Sequence, residues 1–481
     1  MVGSKWGVNP VHRNSNHRHT RSKAETSRLG QLPSSRIEVA RCWGRDGWAS
    51  NLQNVTTTGD KHLGREQRFP VGTGLTHHDL AGELHPHLHR LRSAEPVSWV
   101  PVFGGWLVTD YRMAVDVLRD STTFTVEDER FSTGRVVGPS MLSTDGERHR
   151  LNREPFEPMF RTRSVSTSAD GVGAIIDKLI DGFIDGRSAE LRQGFAAPLA
   201  VKVITDHLGL TDAEDPPASA VEVAILGCYR TIVAAVSALT PETDVPDTAR
   251  EAVAQLNRII LERSRRANDR PARDRTASTS PTRKPELAQL LKAGSPLSTE
   301  GVLSNTAVIL FGAIETSEAM TTNALLHTLS FLAGRPSLHS VVRRRSSGQL
   351  AAICRRLVSE SLRLEPAAAV VDRYANVSTE LGGVAIDAGD LVVVSLAGAN
   401  RDPSVFRDPD AMVLDRDGSR RHLAFARGPH TCLGIHLATL QTTLALQRFL
   451  ERLPDARLDR SESTEPAGLI FRKPDRLLVR W

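Results

Sequence analysis

Cysteine is scarce in this chain of 481 residues. The four that occur, Cys42, Cys228, Cys354 and Cys432, are far apart and show no paired short spacing. That pattern excludes a disulfide framework and a zinc knuckle, and suits a reducing compartment. Long apolar runs are lacking as well: none is long enough to span a bilayer, so nothing points to a membrane anchor. A real excess of charge is also missing from most of the chain. The formal net charge is +5, but residues 1–70 hold 12 Lys+Arg against 5 Asp+Glu, leaving 49 basic and 51 acidic residues for the remainder. The body is therefore close to neutral, and the basic extension is no argument for nucleic-acid binding. No carboxylate or cysteine is spaced to complete a metal site with His77, His78, His85, His87 and His89, which read as solvated helix residues.

What is present is the balance of a soluble globular protein, 40% hydrophobic and 24% charged, with length for one large domain or two to three small ones. Residues 1–70 are rich in Ser, Arg, Asn, Gly and Thr without an apolar period, and read as an extension without structure. Arg-rich and poor in acids, the extension loosely resembles an organellar transit peptide; a plain tail or an over-long reading frame is the preferred reading. A short helix is expected over residues 80–92, and a hairpin over 97–108 turning at Gly104-Gly105. Asp110 is placed to cap a helix running from Tyr111 to Arg119. The long irregular segment 121–143 has the character of a functional loop. Helical periodicity occupies residues 172–210, ending at Gly209, and a helical pair follows over 220–266. Residues 265–285 read as an exposed polar linker.

Three stretches carry chemistry. The first is F-A-R-G-P-H-T-C-L-G, residues 425–434, followed by a long apolar helical pattern from Ile435. Its turn residues present one cysteine, Cys432, directly before a helix N-terminus, a position that favours thiolate. A thiolate so offered is a candidate ligand for haem iron; the bland alternative is a small buried core residue. The second is a helix from Ser298 to the Gly334-Arg335-Pro336 stop, roughly 50 Å long at 1.5 Å per residue. In its apolar middle stand Glu315 and Thr316, an acid and a hydroxyl that are expensive there without work or partners. Gly312 loosens that turn, and Thr316 can bond back to a carbonyl. The third is E-S-L-R, whose Glu360 and Arg363 share one helix face. His149 and Arg153, four apart on a short basic helix, could grip one anion.

Together these stretches resemble the cytochromes P-450 over residues 70–481. The loop resembles F-G-x-G-x-H-x-C-x-G, with Ala426 where that family has glycine. G-A-I-E-T-S, residues 312–317, resembles the distal motif A-G-x-[DE]-T-[TS], with Gly312-Ala313 in place of Ala-Gly. E-S-L-R, A-N-R-D-P at residues 399–403, and the terminal runs G-L-I-F-R and L-L-V-R-W match in family order. The resemblance implies a single, mainly α domain with a smaller β region over residues 71–481, holding haem b between the distal helix and the Cys432 loop. It implies Cys432 as iron ligand, with His149, Arg153, Arg373 and His430 on the propionates. Glu315 and Thr316 would relay protons, and Glu360, Arg363 and Arg416 would form a structural network. The implied activity is monooxygenation of an apolar or amphipathic substrate. The pocket would be walled by residues 121–143, 311–316, 367–371 and 469–471. Electrons would come from a separate ferredoxin and its reductase, since no length is spare for a flavin or nicotinamide domain. A cytoplasmic monomer is expected, with no membrane anchor and no nucleic acid. Two alternatives stay open at this point: a haem protein running peroxide or isomerase chemistry, and a haem-binding protein without turnover.

Overall fold

The structure is a computed structural model; it describes residues 59–211, 218–239, 243–269, 286–292, 294–335, 346–418 and 421–481. Residues 1–58 and most of the polar segment 265–285 lie outside it, so those two expectations fall on undescribed residues. The principal helices in chain order are α1 (Gly59–Arg68), α2 (Leu84–Ala94), α3 (Tyr111–Arg119), α4 (Gly146–Arg153), α5 (Ala169–Asp181), α6 (Ala197–His207), α7 (Ala220–Ala238), α8 (Asp247–Asp269), α9 (Thr299–Ala333), α10 (Ser347–Leu364) and α11 (Ile435–Arg452). Ten short strands accompany them among the described residues: β1 (Val97–Val100), β2 (Gly105–Val108), β3 (Phe124–Thr125), β4 (Ser188–Glu190), β5 (Val370–Ala375), β6 (Thr379–Leu381), β7 (Val384–Ile386), β8 (Leu391–Ser395), β9 (Arg457–Leu458) and β10 (Leu478–Arg480). The mainly α class with a smaller β region is the one expected.

Local signals decide several of these elements. The Asp110 carboxylate accepts from Met113 N–H and starts α3 at the expected residue, meeting an otherwise orphaned donor. Ser298 accepts from Gly301 N–H at the head of α9. The hairpin turns through Gly104, at φ 60°, a conformation that suits glycine. Gly105 is needed for another reason: a Cβ there would lie 2.7 Å from the Leu391 carbonyl oxygen, because β2 runs parallel to β8 in the order β1-β2-β8-β5-β3. The expected helix over 80–92 is interrupted at Gly82, giving a turn at His77–Ala81 and then α2. The terminal runs do not pair with each other. β10 joins β4 and β9, whereas the run 468–472 bonds back to Ala367 and Ala369.

The extension is corrected at its C-terminal end. α1 falls inside the span read as structureless, and Arg65 fixes it to the body. The guanidinium bonds Asp387 at 2.8 Å and Asp390 at 2.9 Å and lies over the rings of Trp99 and Trp106. One arginine with a planar, desolvated partner set does what an apolar face does elsewhere.

Apolar side chains gather in three clusters. The largest lies among α5 to α11, with α9 through its middle; the other two cover the two faces of the five-stranded sheet. α7 has the length and composition to cross a bilayer, which the sequence reading did not recognise. Here it packs Ile225, Tyr229, Ile232 and Val233 into the helical core, and Glu222 at its head sits 3.5 Å from the buried Lys202 of α6.

Candidate haem site

The loop 425–434 is built by its own backbone. Cys432 N–H donates to the Phe425 carbonyl at 2.9 Å, and Thr431 Oγ1 to the Gly428 carbonyl at 2.8 Å. Gly428 sits at φ 78°, and a Cβ there would stand 2.3 Å from the Leu118 carbonyl oxygen, so the loop presses onto the end of α3. Ala426 adopts φ 56°. The residue that departs from the family pattern thus occupies a left-handed position, where an L side chain costs about 1 kcal/mol or more.

Cys432 is enclosed by protein, and that burial pushes its thiol up from the ordinary value; the N–H groups of Gly434 and Ile435 and the charge of Arg153 act the other way. The helix N-terminus therefore acts as expected but is outweighed by desolvation. The side chain nevertheless has open surface. An enclosed yet open sulfur faces an internal space. Gly312 is exposed in the middle of the otherwise buried α9, with nothing within 4 Å of where its Cβ would stand. α9 and α11 pack together, with Thr321 and Thr442 hydroxyls 3.3 Å apart.

The anion-binding candidates come together beside the loop. The His149 and His430 rings lie 4.3 Å apart. Arg153 donates to the Thr431 carbonyl at 2.8 Å and to Glu157 at 3.2 Å. Arg373, on β5, is buried, donates to the Asp372 carbonyl at 2.7 Å and has no ion-pair partner among the described residues. His149 Nε2 is buried without a hydrogen bond. Burial, then the charges of His430 and Arg153, bring His149 down to about 4, and burial also lowers His430. The two arginines bring fixed positive charge to this cluster, while burial works against a charge on either imidazole. An orphaned imidazole nitrogen and an unpaired buried guanidinium fit the carboxylates of haem b, as the open thiol fits its iron.

Sequence reasoning missed Asp145. Its carboxylate bonds His430 Nε2 at 2.7 Å and accepts from Val126 N–H at 2.8 Å and Thr125 Oγ1 at 2.7 Å. Burial would raise it, but the His430 bond and these donors carry it down to about 2. Its place at the head of α4 was the available signal.

In the middle of α9, Thr316 Oγ1 donates to the Gly312 carbonyl, as its type and spacing imply. Glu315 is not left without partners. Lys473 Nζ lies 2.5 Å from its Oε1, and the Tyr229 hydroxyl donates to Oε2 at 3.4 Å. Lys473 also reaches Glu318 at 3.0 Å, and Arg192 bonds Glu318 at 2.7 Å. One turn before Gly312 lies a small apolar cavity, lined by Thr133, Val137, Ile225, Tyr229, Ile232, Leu256, Ala307, Val308, Leu310 and Phe311. Thr133, Val137 and Phe311 belong to expected walls. The α7 and α8 residues were not anticipated, and residues 367–371 and 469–471 do not line this cavity, although Phe471 contacts Phe311 with ring centroids 6.4 Å apart.

Glu360, Arg363 and Arg416 meet as expected. Arg363 is bidentate on Glu360 at 2.9 and 3.0 Å, Arg416 Nε reaches both oxygens, and Val413 N–H donates at 3.0 Å. Burial would raise the Glu360 carboxyl, but the Arg363 bonds and charge bring it below its ordinary value. Spare Arg363 donors go to the carbonyls of Asn400, Pro409 and Ala411.

Fold and site together define a haem-binding monooxygenase of mainly α architecture. The cytochrome P450 family model matches residues 243–474. The chain is 30% identical over 416 residues to cytochrome P450 monooxygenase PikC of Streptomyces venezuelae, covering 83% of this chain and 89% of that protein. It is 29% identical to nocardicin C N-oxygenase of Nocardia uniformis subsp. tsuyamanensis, covering 84% and 96%. The crystal structure of CalO2 superposes with a TM-score of 0.69 at 23% identity, covering 82% of this chain and 95% of that one. The chain belongs to the cytochrome P450 family, and its cofactor is haem b.

Proposed function

We propose that Cys432 would supply the thiolate that holds the haem iron of this monooxygenase, with residues 71–481 as the haem domain and α1 docked on it through Arg65. The observation that carries the assignment is the enclosed but open sulfur on a loop fixed by Gly428 and by the Phe425 carbonyl. Bound haem supplies the oxygen chemistry, in which one atom of O₂ enters the substrate and the other leaves as water. Arg153 and Arg373 would neutralise the propionates by charge-assisted bonds, and His149 and His430 would complete the cradle with imidazole hydrogen bonds. Asp145 fixes which His430 nitrogen faces that cradle. Thr316 presents its hydroxyl beside the exposed Gly312, and Glu315 stands next to it; together they hold and deliver protons to the distal face. Glu360, Arg363 and Arg416 maintain the backbone leading into the Cys432 loop.

The cavity walls are almost wholly apolar, so the substrate is an apolar or amphipathic organic molecule. Electrons arrive from separate proteins, a ferredoxin and its reductase, and the enzyme works as a cytoplasmic monomer. The test is the carbon monoxide spectrum of the reduced protein. The wild type is expected to give the thiolate-type band and Cys432→Ala to lose it; a band that survives the substitution overturns the assignment.

A further inference from the structure

We propose that Lys473 and Tyr229 are positioning residues that clamp Glu315 at its two carboxylate oxygens, and that Tyr229 makes the clamp respond to what fills the apolar cavity. This rests on the reading of Glu315 as a proton-delivering group. The clamp has unequal arms. Lys473 Nζ is 2.5 Å from Oε1, a charge-assisted contact between two buried side chains. Tyr229 reaches Oε2 at 3.4 Å, near the limit of a useful hydrogen bond.

The lysine arm is held rigidly. Its neighbour Arg472 is fully buried, bonds Glu365 at 2.7 Å, and donates to the carbonyls of Ala81, Gly82, Pro466 and Gly468. Lys473 itself exchanges backbone bonds with Ala467. The ammonium is therefore delivered from a fixed turn. Glu318, one helical turn along from Glu315, would compete for it. Arg192 binds Glu318 at 2.7 Å, shorter than the 3.0 Å between Lys473 and Glu318. Glu318 thus has its own cation, and the shorter Lys473 contact goes to Glu315. Four charges balance in pairs, and the pair nearer Thr316 is the one made by lysine.

The tyrosine arm is different. Tyr229 lies on α7, its ring forms part of the cavity wall, and it sits 6.1 Å from Phe311. A molecule that presses on this wall moves the ring, and the weak bond to Glu315 is the first to change. Occupancy of the apolar space is in this way felt at the acid without the occupant touching it.

The experiment compares the haem-loaded full-length protein with Glu315→Gln, Lys473→Met, Lys473→Arg and Tyr229→Phe, using xenon under pressure as probe of the small apolar cavity. Difference infrared spectra against Glu315→Gln isolate the Glu315 carboxylate stretch. The band is expected to shift in Lys473→Met and Tyr229→Phe, to return near its place in Lys473→Arg, and to move on probe binding in the wild type but not in Tyr229→Phe. In turnover, Lys473→Met is expected to lower product per reduced cofactor on the order of tenfold, short of the ~100-fold that a positioned proton donor contributes, with hydrogen peroxide making up the difference. If Glu315→Gln alone lowers the yield while Lys473→Met and Tyr229→Phe behave as wild type, the clamp is wrong and the role of Glu315 stands. If Glu315→Gln is silent, the role of Glu315 falls and the clamp's function falls with it. Should Lys473→Met not fold, a Tyr229→Phe band at the wild-type position, or a wild-type band that stays in place when the probe binds, overturns the proposal.

Discussion

Two buried glutamates of this molecule meet cations in opposite ways. Glu360 is fully buried; both oxygens take bidentate arginine bonds and one also takes a backbone N–H, and every spare donor of Arg363 ends on a carbonyl. Glu315 has one strong partner, one weak partner, and a neighbouring turn that is open at Gly312. A carboxylate saturated by fixed partners can only hold structure, because any movement leaves two guanidiniums unpaired. A carboxylate with a loose arm can change its contact at small cost. The contrast separates a saturated carboxylate from an adjustable one more sharply than burial does, since both side chains are buried.

The largest effect should come from opening the saturated network. Glu360→Ala leaves Arg363 and Arg416 uncompensated and should cost about 3–5 kcal/mol, read as loss of haem-loaded protein and a collapsed melting transition. A retained fold with normal haem content would erase the distinction between the two glutamates. Next in size, Thr316→Ala should keep haem and substrate binding and divert electrons to peroxide, because among the described residues the hydroxyl bonds only the Gly312 carbonyl; unchanged product yield would remove Thr316 from proton delivery.

Acid should then test a third carboxylate that belongs to the fixed class, Asp145. Its folded pKa is depressed from 3.8 to about 2. Its contribution to stability is therefore present above about pH 4 and is lost as pH falls through about 2. Asp145→Asn should flatten that part of the stability profile, measured by denaturant melts across the window. A smaller gain is expected from Ala426→Gly, about 1 kcal/mol from relief of the left-handed backbone, seen as a slightly higher Tm with the carbon monoxide band unchanged. Smallest of all, a chain beginning near Phe69 should still bind haem but melt slightly lower than one beginning near Gly59, because it loses the Arg65 bonds.

Most of the scaffold was legible because its signals are short-range. The Cys432 loop, the cap at Asp110, the hairpin at Gly104 and the spacing of Glu360 and Arg363 each lie within about ten residues. Arg416 needed the family pattern, standing 56 residues from Glu360. What stayed hidden is long-range and chemically ordinary on the page. Lys473 is 158 residues from Glu315, and Tyr229 is 86; no periodicity links them. Arg65 was lost for a related reason: a polar helix held by one arginine on two tryptophans has no apolar stripe to read.

The pairing of β4 with β10 bears on how the protein is made. Glu190 accepts from Leu477 N–H, 287 residues further along the chain, and Arg472 ties the same late turn to residues 80–82. Early helices thus emerge from the ribosome with partners still unsynthesised. Contacts of such separation slow folding and leave apolar surface uncovered meanwhile. The lysine that contacts Glu315 arrives with that late segment, so an interrupted translation product would carry the Cys432 loop and α9 but not the ammonium that meets the acid.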